Sequence, residues 1–285
     1  MKKILATILA LVLALGLTAT VWAADVSGST STKAAKIGGA EYDTLQAAID
    51  AASDGKNTVV ILKDLTESIT IASDKTITID LNGHTLTNTD GQHTITNNGT
   101  LTIIGTGTVD NVTHQRAAIV NNGTATLNGG TYTRSKENSD NNKEDAKGNS
   151  FYTILSDNGA TMTINEGVTV TNVGHFSSMI RNGGTSASTL IINGGTFSGG
   201  LNAIKNDEAG VLTINGGDFS NTSQFVVMNW HKTTINGGSF KALSSAEAVL
   251  FTAKYAENTA VGELTIKNGT FERAADTQKM LEVTY

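Results

Sequence analysis

The sequence predicts an all-β fold, a right-handed single-stranded parallel β-helix of about eight or nine coils with a short N-terminal capping helix. Three observations predict it. One phrase, Leu-Thr-Ile-Asn-Gly-Gly-Thr-Phe, recurs down the chain; each copy alternates apolar and polar side chains at the strand period; and no helix long enough for a parallel crossover fits between the strands. Solenoids lengthen by adding coils, so 285 residues imply one body and give no count of domains.

The chain opens on Met1-Lys2-Lys3, an apolar run from Ile4 to Val21, and then Ala23-Ala24. A charged start, a short apolar middle and small residues at a break describe a secretory signal peptide over residues 1–23. The run is short for a bilayer span and carries Gly16, Thr18 and Thr20. A secreted or cell-surface location follows, with no membrane span once the leader is removed. Residues 24–40 read as a flexible lead, and the β-helix is expected over 41–285. A capping helix over 43–55 covers its first coil. Leu45, Ala48, Ile49 and Ala52 share one helical face there, Asp43 and Gln46 can form a capping box, and Gly55 can end the helix.

The repeat triplets begin at Ile77, Leu101, Ala125, Met162, Leu190, Leu212, Thr233 and Leu264, at intervals of 24, 24, 37, 28, 22, 21 and 31 residues. A floor near 21 with scattered excess means a fixed coil with loops let into it. The middle residue, directed outward, is Thr in seven of the eight copies. This outward column from Thr78 to Thr265 is single in this reading, which favours ordinary sheet packing over an ice-binding array of paired columns. Asn-Gly after the triplet supplies a sharp bend, and a second strand ends in an aromatic, as in Asn193-Gly194-Gly195-Thr196-Phe197. A third strand precedes each triplet: Ile95-Thr96-Asn97, Ile119-Val120-Asn121, Leu155-Ser156-Asp157, Ile180-Arg181-Asn182, Ile204-Lys205-Asn206 and Val227-Met228-Asn229. Its last member is expected to turn inward and bond to the coils above and below. The polar run 134–150 interrupts this pattern as an inserted loop, and Leu281–Tyr285 reads as a short final strand.

The 20 basic and 26 acidic residues give a formal charge of -6. Loss of the two leader lysines makes the mature chain slightly more acidic, which argues against nucleic acid or an anionic membrane as partner. Cysteine and proline are both absent. Hydrogen-bonded ladders and a continuous core must therefore hold an exported fold that lacks disulfide staples.

The phrase Thr78-Ile79-Asp80-Leu81-Asn82-Gly83-His84-Thr85-Leu86, preceded by the Leu45–Ala52 helix, resembles the cap and first coil of the pectate-lyase-like superfamily. The repeated Asn-Gly-Gly-Thr-Phe resembles exported β-helix proteins of clostridial-type gut bacteria. That resemblance implies the fold over residues 40–275 and leaves activity open, because such folds carry lyases, hydrolases and non-catalytic surface proteins. The superfamily's lyases use calcium-binding carboxylates and a Lys or Arg base on one outer face. Here the third strand directs Arg181 and Lys205 outward with no outward Asp row beside them. Its polygalacturonases are matched in part by Asn88-Thr89-Asp90, Asp110, His175 and Ala203-Ile204-Lys205, but Asn111 replaces the second carboxylate that glycoside hydrolysis needs.

The expectation is a non-catalytic exported protein that binds a glycan or another extracellular partner, in the manner of an adhesin. A polysaccharide lyase or glycoside hydrolase acting on a pectin-like polymer is the alternative, and a purely structural surface spacer is a third. The expected contact residues are Asp157, Arg181, Lys205, Asp207, Trp230 and His231, which fall near one edge on successive coils. Trp230 interrupts a corner, and an exposed indole flanked by hydrogen-bonding groups is a usual sugar platform. The five histidines show no paired metal spacing, and no cofactor is implied.

Overall fold

The computed structural model describes residues 32–53, 58–137, 151–172, 174–175 and 177–285. The expected signal peptide lies outside the described residues, as do Gly55 and positions 138–150 of the inserted loop. No described helix is long and apolar enough to cross a membrane.

Each coil gives one short strand to each of three sheets, and strands of successive coils pair in parallel. The parallel part of the first sheet runs from Thr58–Ile61 to Glu263–Ile266, the second sheet from Leu65–Thr66 to Thr270–Glu272, and the third from Ile69–Ile71 to Lys279–Thr284. The result is a parallel β-solenoid of about eight turns. Alternation makes it so: Ile79, Ile103, Leu127, Ile164, Ile192, Ile214 and Ile235 stack position on position and are fully buried. In the second sheet Phe197, Phe219, Phe240 and Phe271 form one stack, with centroids 4.5, 4.9 and 4.8 Å apart. These distances are the strand spacing of a parallel ladder, so the backbone itself sets the aromatic contact.

The corner between the first and second sheets differs from the expected Asn-Gly bend. The left-handed backbone sits at the second glycine, with φ of 104° at Gly195, 112° at Gly217 and 110° at Gly238. The first glycine is needed for approach: a Cβ on Gly237 would lie 2.6 Å from the Asn215 carbonyl of the coil before. The asparagines instead form an exposed ladder. Asn165 donates to Asn128, Asn193 to Asn165, Asn215 to Asn193 and Asn236 to Asn215, at 2.6–2.8 Å.

Inside the third sheet a second ladder joins Asn97 to Asn121 at 2.7 Å, Asn182 to Asn206 at 2.9 Å and Asn206 to Asn229 at 2.9 Å. Between these runs the expected register is one residue out. Ile154, Leu155 and Ser156 pair with Ile180, Arg181 and Asn182, so Ser156 fills the Asn rung and Asp157 stands just past it, half-buried at the corner. A one-residue slip reverses every side chain, and Ile154-Leu155 allows either phase by hydrophobicity alone.

The cap also departs in detail from expectation. β1 (Ala35–Ile37), within the stretch read as a flexible lead, pairs antiparallel with both β2 (Ala40–Tyr42) and β3 (Thr58–Ile61). The helix α1 covers Leu45–Ala51, and Leu45, Ala48 and Ile49 are buried beneath it. Its N-cap is Thr44, whose hydroxyl accepts from Ala47 N, while Asp43 turns away to pair with Lys33 at 2.6 Å. The Glu67 carboxylate of the next coil accepts from Leu45 N and Gln46 N, both at 2.9 Å. At the opposite end, Lys279–Thr284 pairs with Ala248–Ala253 as a final strand, and Ile266 of the last coil is 45% exposed.

Candidate ligand-binding site

Strand register brings the six expected residues to the outer third sheet and its following corner. Arg181 and Lys205 are directly paired neighbours, directed outward on adjacent coils. Each strand then ends on a buried Asn and turns, and the residues after that Asn swing back over the sheet edge. Asp207 reaches the cations this way. Its Oδ2 accepts from Arg181 Nε at 2.6 Å and lies 3.4 Å from Lys205 Nζ, with the carboxylate only 2% exposed. Asp157 Oδ2 lies 3.5 Å from Arg181 Nη1. Outward strand positions carry no acid row beside the cations; the two carboxylates arrive from the corner.

Burial works against the Arg181 charge, but the Asp207 hydrogen bond and charge outweigh it and raise the guanidinium pKa above its ordinary value. A buried carboxylate between two cations is stable here because all three charges are compensated within hydrogen-bonding reach.

Trp230 is half-buried rather than an open platform. The Lys205 ammonium lies 4.8 Å from its ring centroid, covering one face, and Tyr255 meets it edge-on at 5.8 Å. Tyr152, which the sequence did not single out, completes the cluster. Its hydroxyl is 3.5 Å from Lys205 Nζ, and its ring lies 5.8 Å from Arg181 Cζ. Tyr255 is 45% exposed and forms the outermost aromatic surface. No repeat position announces either tyrosine, since Tyr152 follows the inserted loop and Tyr255 lies in a turn peculiar to its own coil. His231 stands apart from the ion cluster: its Nδ1 is 3.1 Å from the Gly210 carbonyl, and its side chain is exposed.

Of the residues matching polygalacturonase positions, Asp90, Asp110 and His175 are each held by hydrogen bonds to other segments, and Lys205 belongs to the ion cluster. Asp90 Oδ1 accepts from Ser68 Oγ and Gln92 N, both at 2.9 Å. Asp110 accepts from Ser135 N at 2.8 Å and from the Ser135 hydroxyl, and Asn111 is buried beside it. His175 Nδ1 lies 3.0 Å from the Gly200 carbonyl. Among the described residues no three His, Asp or Glu side chains converge as metal ligands.

The first sheet carries a feature that the sequence reading missed. Outward threonines form two columns, not one, because each triplet is preceded by another outward position. Thr76 and Thr78 pair with Thr100 and Thr102, these with Thr124 and Thr126, and these with Thr161 and Thr163. The next two coils add Thr189, Ile191, Val211 and Thr213, so these two columns are β-branched and uncharged over six coils, with Asp80 beside them on the first strand.

Comparison with protein-family models, with curated proteins and with solved structures finds no match to this chain.

Proposed function

We propose that this is an exported, non-catalytic β-helix of the pectate-lyase-like kind, whose third sheet binds an extracellular glycan through the strip Tyr152, Arg181, Lys205, Trp230 and Tyr255. The observation that carries this reading is the convergence of three aromatic rings with an ion cluster on one solvent-facing edge. Sugar C–H faces pack on aromatic rings, while ring hydroxyls exchange hydrogen bonds with charged neighbours. Arg181 and Lys205 are balanced by Asp157 and Asp207, so the strip favours a neutral glycan over a polyanion. A glycan array read with the parent protein and with Trp230→Ala and Tyr255→Ala tests it. Binding lost in both variants supports the reading, and an array without ligand overturns it. Incubation with a pectin panel addresses the enzymatic alternative: unsaturated or reducing sugars that disappear in Asp90→Ala or Lys205→Ala would replace binding with catalysis.

A second reading is favoured by the paired threonine columns. Stiff β-branched side chains at about 4.8 Å along the solenoid and roughly 7 Å along each strand make a flat hydroxyl and methyl lattice of the kind that orders water or meets ice. Thermal hysteresis of the parent, abolished by Thr126→Lys, would establish it; freezing behaviour equal to a control protein would remove it.

A further inference from the structure

Ten Asn-Gly dipeptides occur in the chain, all among the described residues. In such a pair the backbone nitrogen of the glycine can attack the asparagine side-chain carbonyl carbon. Ammonia leaves, a five-membered succinimide forms, and water then opens either carbonyl to give aspartate or isoaspartate. Glycine permits this because it places no Cβ near the attacking nitrogen. The attack also requires the carboxamide to turn onto the following peptide, so hydrogen bonds that hold it elsewhere oppose the reaction.

Nine of the ten carboxamides are held to another coil. Asn128, Asn193, Asn215 and Asn236 belong to the corner ladder. Asn98, Asn122 and Asn158 form a shorter one, at 3.0 and 2.8 Å. Asn182 lies in the interior ladder, and Asn82 donates to the Ile61 carbonyl at 2.9 Å. Asn268 is the exception. Lys267 occupies the position of Asn236 one coil later, since Thr270 pairs with Ser239, and this displaces Asn268 out of the column. Its side chain is exposed, and among the described residues it is bonded only by the nitrogen of its own glycine, Gly269, which donates to Oδ1 at 2.9 Å. The attacking atom already lies beside the carboxamide.

We propose that Asn268 is the site of spontaneous deamidation in the folded protein, with water as the only co-reactant, and that the ladders protect the other nine Asn-Gly pairs. The reaction converts a neutral amide to a carboxylate. Isoaspartate also adds a methylene to the main chain two residues before Thr270–Glu272, the last strand of the second sheet, whose Phe271 closes the aromatic stack. Ageing would therefore loosen the final coil first.

The full chain is incubated at mildly alkaline pH and 37 °C, and tryptic peptides are followed by mass and by an isoaspartate-specific probe. The peptide 268–273 should gain the mass of deamidation about tenfold faster than any other Asn-Gly peptide, the factor that breaking one or two modest hydrogen bonds imposes. In urea-unfolded chain the ten sites should react at comparable rates. Another Asn-Gly pair leading in the folded protein overturns the proposal. So does an undiminished lead of Asn268 in urea, because the selectivity would then come from local sequence. Asn268→Gln should abolish the fast phase and leave the far-ultraviolet spectrum unchanged.

Discussion

Replacing Ser156 by Asn should stabilise the protein by about 1–3 kcal/mol. Ser156 is the break in the interior ladder. Asn121 Nδ2 reaches its hydroxyl at 3.3 Å, against 2.7 Å for the Asn97 to Asn121 rung, and Asn182 Oδ1 on the following coil is buried without a partner. An Asn at 156 lies in register with Asn121 and Asn182, where neighbouring rungs already accommodate the same side chain. Its Oδ1 would accept from Asn121 and its Nδ2 would donate to Asn182. One improved hydrogen bond contributes about 1 kcal/mol, and satisfying a buried acceptor relieves about 1–3 kcal/mol more. Ordering the longer side chain costs up to about 1 kcal/mol, which leaves the stated net. The matched control is Asn206→Ala, which removes bonds to Asn229 and to the Gly210 and Lys232 carbonyls and should cost about 3 kcal/mol. Urea unfolding followed by circular dichroism, with a second probe to check two-state behaviour in a repeat protein, gives both numbers. A Ser156→Asn protein no more stable than the parent, while Asn206→Ala is strongly destabilised, would refute the account of the break.

Phe219→Ala removes the second ring of the aromatic stack and should cost about 3–5 kcal/mol in urea unfolding, well above an outward Thr→Ala on the same sheet. Burial pushes the His93 pKa down to about 4, with the nearby Arg116 and Arg134 charges adding to the effect, and its Nδ1 accepts from Ala117 N at 2.9 Å. Its folded pKa lies below the unfolded value, so the unfolded chain takes up the proton first. Stability should fall by about 1–2 kcal/mol between about pH 6.5 and 4, a figure reduced for partial exposure, and the His93 share of that slope should vanish in His93→Gln. Asp207→Asn leaves Arg181 and Lys205 short of their shared anion and should destabilise by about 2–3 kcal/mol, with a larger loss at low salt being the result that contradicts a buried pairing.

Side-chain alternation within a coil is a local property, and it was legible from residue type alone. It put Ile79 through Ile235 and the rings of Phe197, Phe219 and Phe240 inside, with Phe271 partly buried at the end of their stack, asparagines at the corners and threonines outside. The helical face of Leu45, Ala48 and Ile49 was legible for the same reason, although the cap fell to Thr44 once Lys33 took Asp43. Contacts between coils are different. They depend on how loops of unequal length return the chain to its ladder, and only the inter-coil hydrogen bonds decide that phase. Within the 37-residue interval the apolar pair Ile154-Leu155 fitted two registers, and the tertiary structure chose the one that puts Ser156 on the Asn rung and frees Asp157 for Arg181. The nearness of Asp157, Arg181, Lys205, Asp207 and Trp230 at one edge was thus legible from the repeat, but their partnership was not. Asp207 under two cations, Lys205 over Trp230, and the added rings of Tyr152 and Tyr255 exist because stacking brings together residues that lie tens of positions apart in the chain.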